Sequence, residues 1–242
     1  MIENLTEQEV KKSTFRIKEF NGINLLYNNE GNSSYIFDFH GNISDILFNP
    51  NSDVSLIERH KLNNLIKWNS EITIKVIHLK NTFIYMSTYL DRYNASKNSS
   101  DLQYFRYFAE VISYFIISIR DCILQLINSF TGVFIEERNV TLPRLKNKLE
   151  GKEDSTSSKI LEALNEFEKE TKIFREKIRN SFTHRTNPFN GYYKTSLTDK
   201  GLEIKIEENK TDVSNDEFYS KCLLTISSLS KYIENLRKIM CC

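Results

Sequence analysis

Apolar residues recur at helical spacing along most of this chain. From about residue 56 the first apolar stripe advances by gaps of three, four and seven residues, through Leu62, Leu65, Ile72, Val76, Leu79, Phe83, Met86 and Leu90. Similar stripes follow over 102–130, 160–182 and 218–240. This period is typical of amphipathic α-helices. Four such helices predict a mainly α protein, an antiparallel bundle of four to five helices.

The second of these helices has apolar residues on more than one face. Outside its main stripe it carries Tyr107, Phe108, Val111, Tyr114 and Phe115. A helix of this kind either lies at the centre of a bundle or also packs on a partner chain. The pattern leaves both arrangements open, and a homodimer fits the second.

Two parts of the chain alternate apolar and polar residues with the period of a strand. In the first 50 residues, Asn21-Gly22 separates two such runs, and a second pair is expected over 35–39 and 43–48. Asn-Gly is a strong hairpin signal because both turn positions need positive φ. We therefore expect a small antiparallel sheet in an N-terminal β appendage, 1–55, before a helical bundle domain, 56–242. A further β-hairpin is expected before the last helix, with its turn at 198–201.

Composition narrows the classes of function. The 242 residues have a formal net charge of +1, so bulk electrostatic binding of nucleic acid is excluded and any such site must be local. No glycine-rich phosphate loop occurs, and neither the four cysteines nor the histidines have metal-site spacing. No cofactor is expected. The first residues lack a secretion signal and no apolar run spans a bilayer, which predicts a cytoplasmic protein without membrane association.

Candidate chemistry lies at the end of the third predicted helix. Asn180 and His184 are four residues apart and share one helix face. Arg179 and His184 are five apart, roughly 140° around an ideal helix, so they converge only if the helix end unwinds or two copies face each other. A helix C-terminus favours a protonated histidine, which suits His184 for passing protons near neutral pH. The guanidinium of Arg179 matches the geometry of a phosphate.

The run from Arg179 through Asn180 to His184 resembles the Arg-polar-x-x-x-His motif of the HEPN superfamily. Residues 116–121 are similar to the second helix of HEPN bundles, and the resemblance covers about 60–240. The resemblance implies an α-helical bundle, most often homodimeric. Many members are metal-independent endoribonucleases of toxin–antitoxin, abortive-infection and CRISPR-linked defence systems.

The resemblance also implies a role for each site residue. Arg179 and His184 from both chains would form a composite site at the dimer interface. His184 would activate the ribose 2′-hydroxyl or protonate the leaving 5′-oxygen, Arg179 would stabilise the phosphorane, and Asn180 would orient His184 or a phosphate oxygen. The expected products end in 2′,3′-cyclic phosphate. Supporting residues would be Arg120, Asp121, Lys177 and Arg185. Separately from the resemblance, two aromatic rings beside a cation suggest RNA contacts at Tyr192, Tyr193 and Lys194; packing in the core or at the dimer interface is the alternative for these rings.

Other interpretations remain open. The expected partners are RNA, a second copy and an antitoxin or defence protein, but the alternative is a non-catalytic HEPN bundle that binds a partner protein or a nucleotide. The third hypothesis is a helical scaffold that has neither a catalytic nor a binding site. Arg120 and Asp121 also fit a simple polar break on a buried helix. Thr186 occupies the position where one HEPN subgroup has a nucleotidylated tyrosine, so regulation by that route is not expected.

Overall fold

The computed structural model describes residues 5–14, 36–37, 39, 55–179, 192–198, 201–207 and 213–241. They form, in chain order, α1 (Glu7–Thr14), α2 (Leu56–Ser96), α3 (Ser99–Phe130), a 3₁₀ turn (Glu137–Asn139), α4 (Leu142–Glu150), α5 (Ser155–Glu170), a π-helix (Phe174–Arg179), β1 (Tyr192–Thr198), β2 (Gly201–Glu207) and α6 (Asn215–Met240). The mainly helical fold predicted from the apolar stripes is confirmed. Among these described helices, none combines the length and the apolar character needed to cross a membrane.

The two longest helices, α2 and α3, form an antiparallel hairpin. Only Lys97 and Asn98 separate them, in the interval between the apolar stripes that end at Leu90 and begin at 102. Lys97 ends α2 with a left-handed φ of 56°, and its N–H donates to the carbonyl of Tyr93 at 2.7 Å. The side chain of Asn98 accepts from the N–H of Ser100 at 2.9 Å and so caps α3. With both caps inside two residues, the helices must reverse direction and pack side by side.

The core lies where α5 and α6 pack beside this hairpin. Helix α6 contacts α3, α5 and the π-helix. Phe105 of α3 meets Phe218 of α6 edge-on, with the ring centroids 6.2 Å apart. Phe167 of α5 stacks on Tyr232 of α6, with the centroids 4.6 Å apart and the planes 8° from parallel. These four side chains are almost fully buried, so the predicted apolar stripes do face one common core.

The predicted N-terminal sheet is not supported. Within the first 55 residues, the described stretch 5–14 contains helix α1, which packs on α2. Residues 36, 37 and 39 of the expected strand 35–39 are described, and none of them is in a strand. The Asn21-Gly22 turn and the other expected strands lie outside the described residues. The division at residue 55 therefore stays a prediction.

The backbone bonds of Ile36 and Phe37 explain why these residues form no strand. The N–H of Ile36 donates to Thr73 Oγ1 at 3.2 Å. Phe37 donates its N–H to Asn69 Oδ1 at 3.1 Å and accepts from Asn69 Nδ2 at 2.6 Å. Side chains of α2 thus satisfy the polar groups that a neighbouring strand would otherwise bond. Both residues are buried at 1% exposure, so this segment belongs to the core.

Two antiparallel strands lie between the π-helix and α6. Their register runs from the pair Tyr192 and Glu207 to the pair Thr198 and Gly201. The turn is therefore at the position that the sequence predicted for the hairpin. No further strand occurs in the described ranges.

The third predicted helix differs from a continuous helix over 160–182. Helix α5 begins earlier, at Ser155, because the Asp154 side chain caps it by accepting from the N–H of Ser157 at 2.7 Å. It ends at Glu170 and is followed by the π-helix. Pro143, which marked a break in the sequence, lies in the first turn of α4, where a missing N–H costs no helical hydrogen bond.

We expect Asn69→Ala to lower the free energy of unfolding by about 1–3 kcal/mol, because both backbone groups of Phe37 lose their buried partner. Urea denaturation followed by circular dichroism measures the change. The matched control is Asn63→Ala, an exposed position on the same helix, which should stay within about 0.5 kcal/mol of the wild type. Equal losses in the two variants would contradict the docking role of Asn69.

Helix α1 should be held to α2 in a pH-dependent way. Arg92 pairs with Glu9 through Nε at 2.5 Å and Nη2 at 2.8 Å. The hydrogen bond to Arg92, followed by that to Thr6, lowers the pKa of Glu9 from 4.5 to about 2. Because the folded-state pKa is depressed, this contribution to stability is complete above pH 4.5 and is lost as the pH falls towards 2.

Glu9→Gln should therefore lower the urea midpoint at pH 6, and its difference from the wild type should shrink between pH 5 and pH 2. Glu7→Gln is the control, since the Glu7 pair with Lys11 is largely exposed and contributes little. A difference between Glu9→Gln and the wild type that stays constant with pH would contradict the assignment.

Candidate active site

The segment that leads into the candidate motif is a π-helix, Phe174–Arg179. Phe174 and Ile178 are buried at 3% and 0% exposure and anchor it to the core. The turn before it is closed by Thr171, whose N–H and hydroxyl both bond the carbonyl of Phe167, at 3.0 and 2.8 Å. π-Turns are rare and occur frequently at functional sites. Arg179, the first residue of the motif, is the last residue of this π-helix.

A buried ion cluster fixes the π-helix against the bundle. Glu168 of α5 binds two arginines at once: its Oε1 lies 2.5 Å from Arg120 Nε, and its Oε2 lies 2.7 Å from Arg175 Nη2. Arg175 Nη2 also donates to the backbone carbonyl of Glu168 at 2.8 Å. The Glu168 side chain is only 8% exposed. The cluster thus joins α3, α5 and the π-helix through charge-assisted hydrogen bonds from Arg120 to the Glu168 carboxylate and from Arg175 to the Glu168 carbonyl, with the contact between Arg175 and Oε2 as an ion pair.

Arg120 is committed to this cluster. Its Nη1 also contacts Asp121 Oδ1 at 2.8 Å, and its side chain is 14% exposed. Burial lowers the pKa of Arg120, but the hydrogen bond and charge of Glu168 and the charge of Asp121 outweigh burial and raise it overall. A guanidinium held by two carboxylates has little capacity left for a phosphate. The geometry therefore fits a positioning role for Arg120.

Tyr232 of α6 is a buried side chain next to the residues of the cluster. Its ring stacks on Phe167, the residue that precedes Glu168. Burial, together with the negative charge of Glu168, raises the pKa of the Tyr232 hydroxyl, against a smaller opposite effect of Arg120. Within the described part of the chain this buried hydroxyl has no hydrogen-bond partner. Tyr232 thus stays neutral and makes the surroundings of the ion cluster less polar.

The structure places some of the predicted site residues and leaves others outside the described ranges. Arg179 and Lys177 are residues of the π-helix, and Arg120 and Asp121 are residues of α3. Tyr192, Tyr193 and Lys194 lie on β1, where they pair in register with Glu207, Ile206 and Lys205. Asn180, His184 and Arg185 lie outside the described residues. Of the predicted set, Arg120 and Asp121 are the two whose side chains are seen in contact.

Sequence reasoning missed Glu168, Arg175 and Tyr232. One signal was available: Arg120 interrupts the most apolar helix, and a buried charge needs a partner of opposite sign on a facing element. Glu168 follows the stripe residue Phe167 directly, so it lies beside the apolar face. Which of the many glutamates meets Arg120 depends on how the helices pack, and the sequence alone does not give that.

The described helices form a bundle, and the Arg-Asn-x-x-x-His run of the sequence begins at the last residue of its π-helix. A family model described as a Cthe2314-like HEPN domain matches residues 59–239, from the first turn of α2 almost to the end of α6. The chain belongs to the HEPN superfamily. The resemblance noted in the sequence is thereby confirmed. No curated protein and no solved structure gives a significant match.

We expect Glu168→Gln to lower the free energy of unfolding by about 3–5 kcal/mol, because two poorly exposed arginines lose the charge that compensates them. Thermal and urea unfolding measure the loss. Glu166→Gln is the matched control: it lies two residues away on α5 and pairs with Lys231, where both side chains are about half exposed. Its loss should be about 0–1 kcal/mol. A Glu168→Gln variant as stable as this control would contradict the cluster's structural role.

Proposed function

We propose that this protein is a metal-independent endoribonuclease of the HEPN type. The observation that carries the proposal is that the motif begins at the last residue of a π-helix that a buried ion cluster holds in place. The family match supports it, because its range includes Arg179, Asn180 and His184. Catalytic side chains need such support, since a displacement of about 1 Å can cost two orders of magnitude in rate.

The proposed reaction is cleavage of RNA through its own 2′-hydroxyl. His184 accepts the proton of the 2′-hydroxyl, and the 2′-oxygen attacks the adjacent phosphorus. The bond from phosphorus to the 5′-oxygen breaks, and a protonated His184 gives the leaving oxygen its proton. One product ends in a 2′,3′-cyclic phosphate and the other in a 5′-hydroxyl. Arg179 stabilises the charge of the phosphorane, and Asn180 orients His184 or a phosphate oxygen.

The active form in this proposal is a homodimer with a composite site, in which both chains contribute Arg179 and His184. Lys177 and Arg185 flank the motif and add positive charge for the RNA backbone. Arg120, held by Asp121, does not contact the RNA in this proposal but helps to position the π-helix through its ion pair with Glu168. Tyr192, Tyr193 and Lys194 contact the RNA from the hairpin, where aromatic rings and a cation suit single-stranded bases.

The proposed setting is a toxin or anti-phage defence effector in the cytoplasm, silenced by an antitoxin or a defence partner protein. A nuclease that acts on cellular RNA must be restrained, so a partner that blocks the dimer or the motif fits this activity. The alternative function is a non-catalytic HEPN bundle that uses Arg179 and His184 to bind a partner protein or a nucleotide.

His184→Ala should lower the rate of RNA cleavage in EDTA by about 10²–10⁴-fold, the usual contribution of a general acid or base. The assay follows purified protein on labelled RNA and maps the product ends by mass spectrometry. Wild-type products should end in 2′,3′-cyclic phosphate.

His60→Ala is the matched control. His60 is exposed, bonds Asn64 on its own helix at 3.0 Å and should leave cleavage unchanged. Equal cleavage by the wild type and His184→Ala would contradict the mechanism. Binding of RNA or nucleotide that depends on His184, without any cleavage, would favour the non-catalytic bundle.

A further inference from the structure

The loop after α3 presents an aromatic ring to solvent in a conformation that residues with side chains avoid. Phe134 has φ of 53°, and its side chain is 49% exposed. The ring lies over Gly132, which has φ of 64°: a Cβ placed on Gly132 would be 3.5 Å from Phe134 Cε2. The glycine thus supports the ring from one side. The core does not include Phe134, so its position is not explained by packing.

Several buried or tethered groups hold this loop in place. Asn128, at the end of α3 and 6% exposed, bonds both backbone groups of Ile135: its Oδ1 accepts from the N–H at 2.9 Å, and its Nδ2 donates to the carbonyl at 2.8 Å. The ammonium group of Lys152 donates to the carbonyl of Thr131. Phe134 lies between these two anchored residues. The backbone that carries Phe134 is therefore held on both sides before any ligand binds, which reduces the ordering cost of binding.

Two cations face the same cavity as Phe134. Arg144 and Lys148 lie four residues apart on one face of α4. The neighbouring Leu145 and Leu149 are buried at 0% and 1% exposure and fix the rotation of the helix. Neither Arg144 nor Lys148 has an ion-pair partner among the residues that the structure describes.

The cavity has the size and lining of a ligand site. Its volume is about 580 Å³, and Phe134, Arg144, Lys148 and Asn147 contribute to its walls. Ligand sites range from about 300 to 1,000 Å³. Glu136, the acidic residue of the lining, already binds two other side chains: Asn139 Nδ2 and Arg138 Nε each lie 2.8 Å from its carboxylate oxygens. The cavity therefore combines an open ring face with two cations that have no ion-pair partner in the described ranges of the chain.

We propose that this cavity binds one nucleotide of single-stranded RNA, with the base stacked on Phe134 and the phosphate held by Arg144 and Lys148. Aromatic stacking tolerates any base, and cations that follow the backbone are the other half of single-strand recognition. The proposal rests on the proposed function, for which it names an accessory substrate site. Arg120 and Phe130 are ten residues apart on α3, so the cavity lies about 15 Å along the helix from the ion cluster.

The test measures binding of a fluorescein-labelled, 2′-O-methyl oligonucleotide of about ten residues by anisotropy, since such a strand cannot be cleaved through its 2′-oxygen. Phe134→Ala should weaken binding at least about five-fold, the lower end of what one stacked base contributes. Phe134→Tyr keeps the ring and should bind like the wild type. Arg144→Gln with Lys148→Gln should weaken binding and flatten the dependence of log K on log salt by about 0.7, because the two cations together neutralise one phosphate of a single strand.

Lys146→Gln is the matched control, because it removes the same charge from the same helix but lies outside the cavity lining. It should leave both affinity and salt dependence unchanged. The variants are also assayed for cleavage of unmodified RNA. Here the cavity variants should raise KM and leave kcat within about two-fold, because their contacts are remote from the reacting phosphate.

Each outcome separates this inference from the proposed function. RNA cleavage that depends on His184 together with unchanged binding and KM in the cavity variants would overturn the inference and leave the nuclease standing. Binding that is lost in the Phe134→Ala and double-glutamine variants while no cleavage occurs would support the cavity and count against the nuclease. Loss with the double-glutamine variant but not with Phe134→Ala would indicate a simple anion site and overturn the nucleobase assignment.

Discussion

The arrangement of this bundle depends on one buried carboxylate. Glu168 receives a guanidinium from the long helix α3 and another from the π-helix that follows its own helix. Helix α5, the π-helix and the sequence-distant α3 thereby meet at one point, where the carboxylates of Glu168 and Asp121 balance the guanidiniums of Arg120 and Arg175. A buried ion pair contributes little net stability compared with apolar packing, but it penalises every arrangement in which a charge is left alone. Its effect here is geometric: it fixes the position and direction of the chain as it reaches Arg179.

The cations of the described residues differ between two regions of the molecule: in one they are held by carboxylates, and in the other they have no such partner. Arg120 and Arg175 form ion pairs with Glu168 and have a structural role. Arg144 and Lys148 line a cavity and have no ion-pair partner among the residues that the structure describes, so they remain able to bind an anion. Because the net charge of the chain is only +1, an affinity for RNA has to come from such local groups. The bundle thus keeps its structural arginines apart from the cations proposed to bind RNA.

The long helices could be predicted from the spacing of the apolar residues, whereas the π-helix and the segment at 36–39 could not. The stripe from Leu62 to Leu90 identified α2, and the stripe over 102–130 identified α3. The π-helix was missed because Phe174 and Ile178 continue the apolar spacing of α5, so the stripe gives no sign of a change in helix type. The N-terminal strand at 35–39 was wrong because Asn69 and Thr73, remote in sequence, supply the hydrogen bonds that the alternating pattern assigned to a sheet.

The candidate motif was found from sequence, but its support was not. Arg179 and His184 stand out because their residue types and spacing resemble a known motif, which needs no knowledge of packing. Glu168 and Arg175 resemble any charged pair on a helix surface until α3 is placed against them. Likewise, nothing in the sequence indicates that Arg144 and Lys148 lack an ion-pair partner among the described residues, since this depends on which carboxylates the fold brings near α4.

The most direct test of the central claim, that the buried cluster positions the motif, is the RNA cleavage rate of a variant in which the cluster is replaced by apolar side chains. Arg120→Met, Glu168→Leu and Arg175→Met together remove the three poorly exposed charges, and the Asp121 carboxylate that pairs with Arg120 is 60% exposed to water, so the fold should keep its stability. The account predicts a folded protein with a melting temperature near that of the wild type and a cleavage rate at least about ten-fold lower. A folded variant that cleaves RNA at the wild-type rate would contradict it.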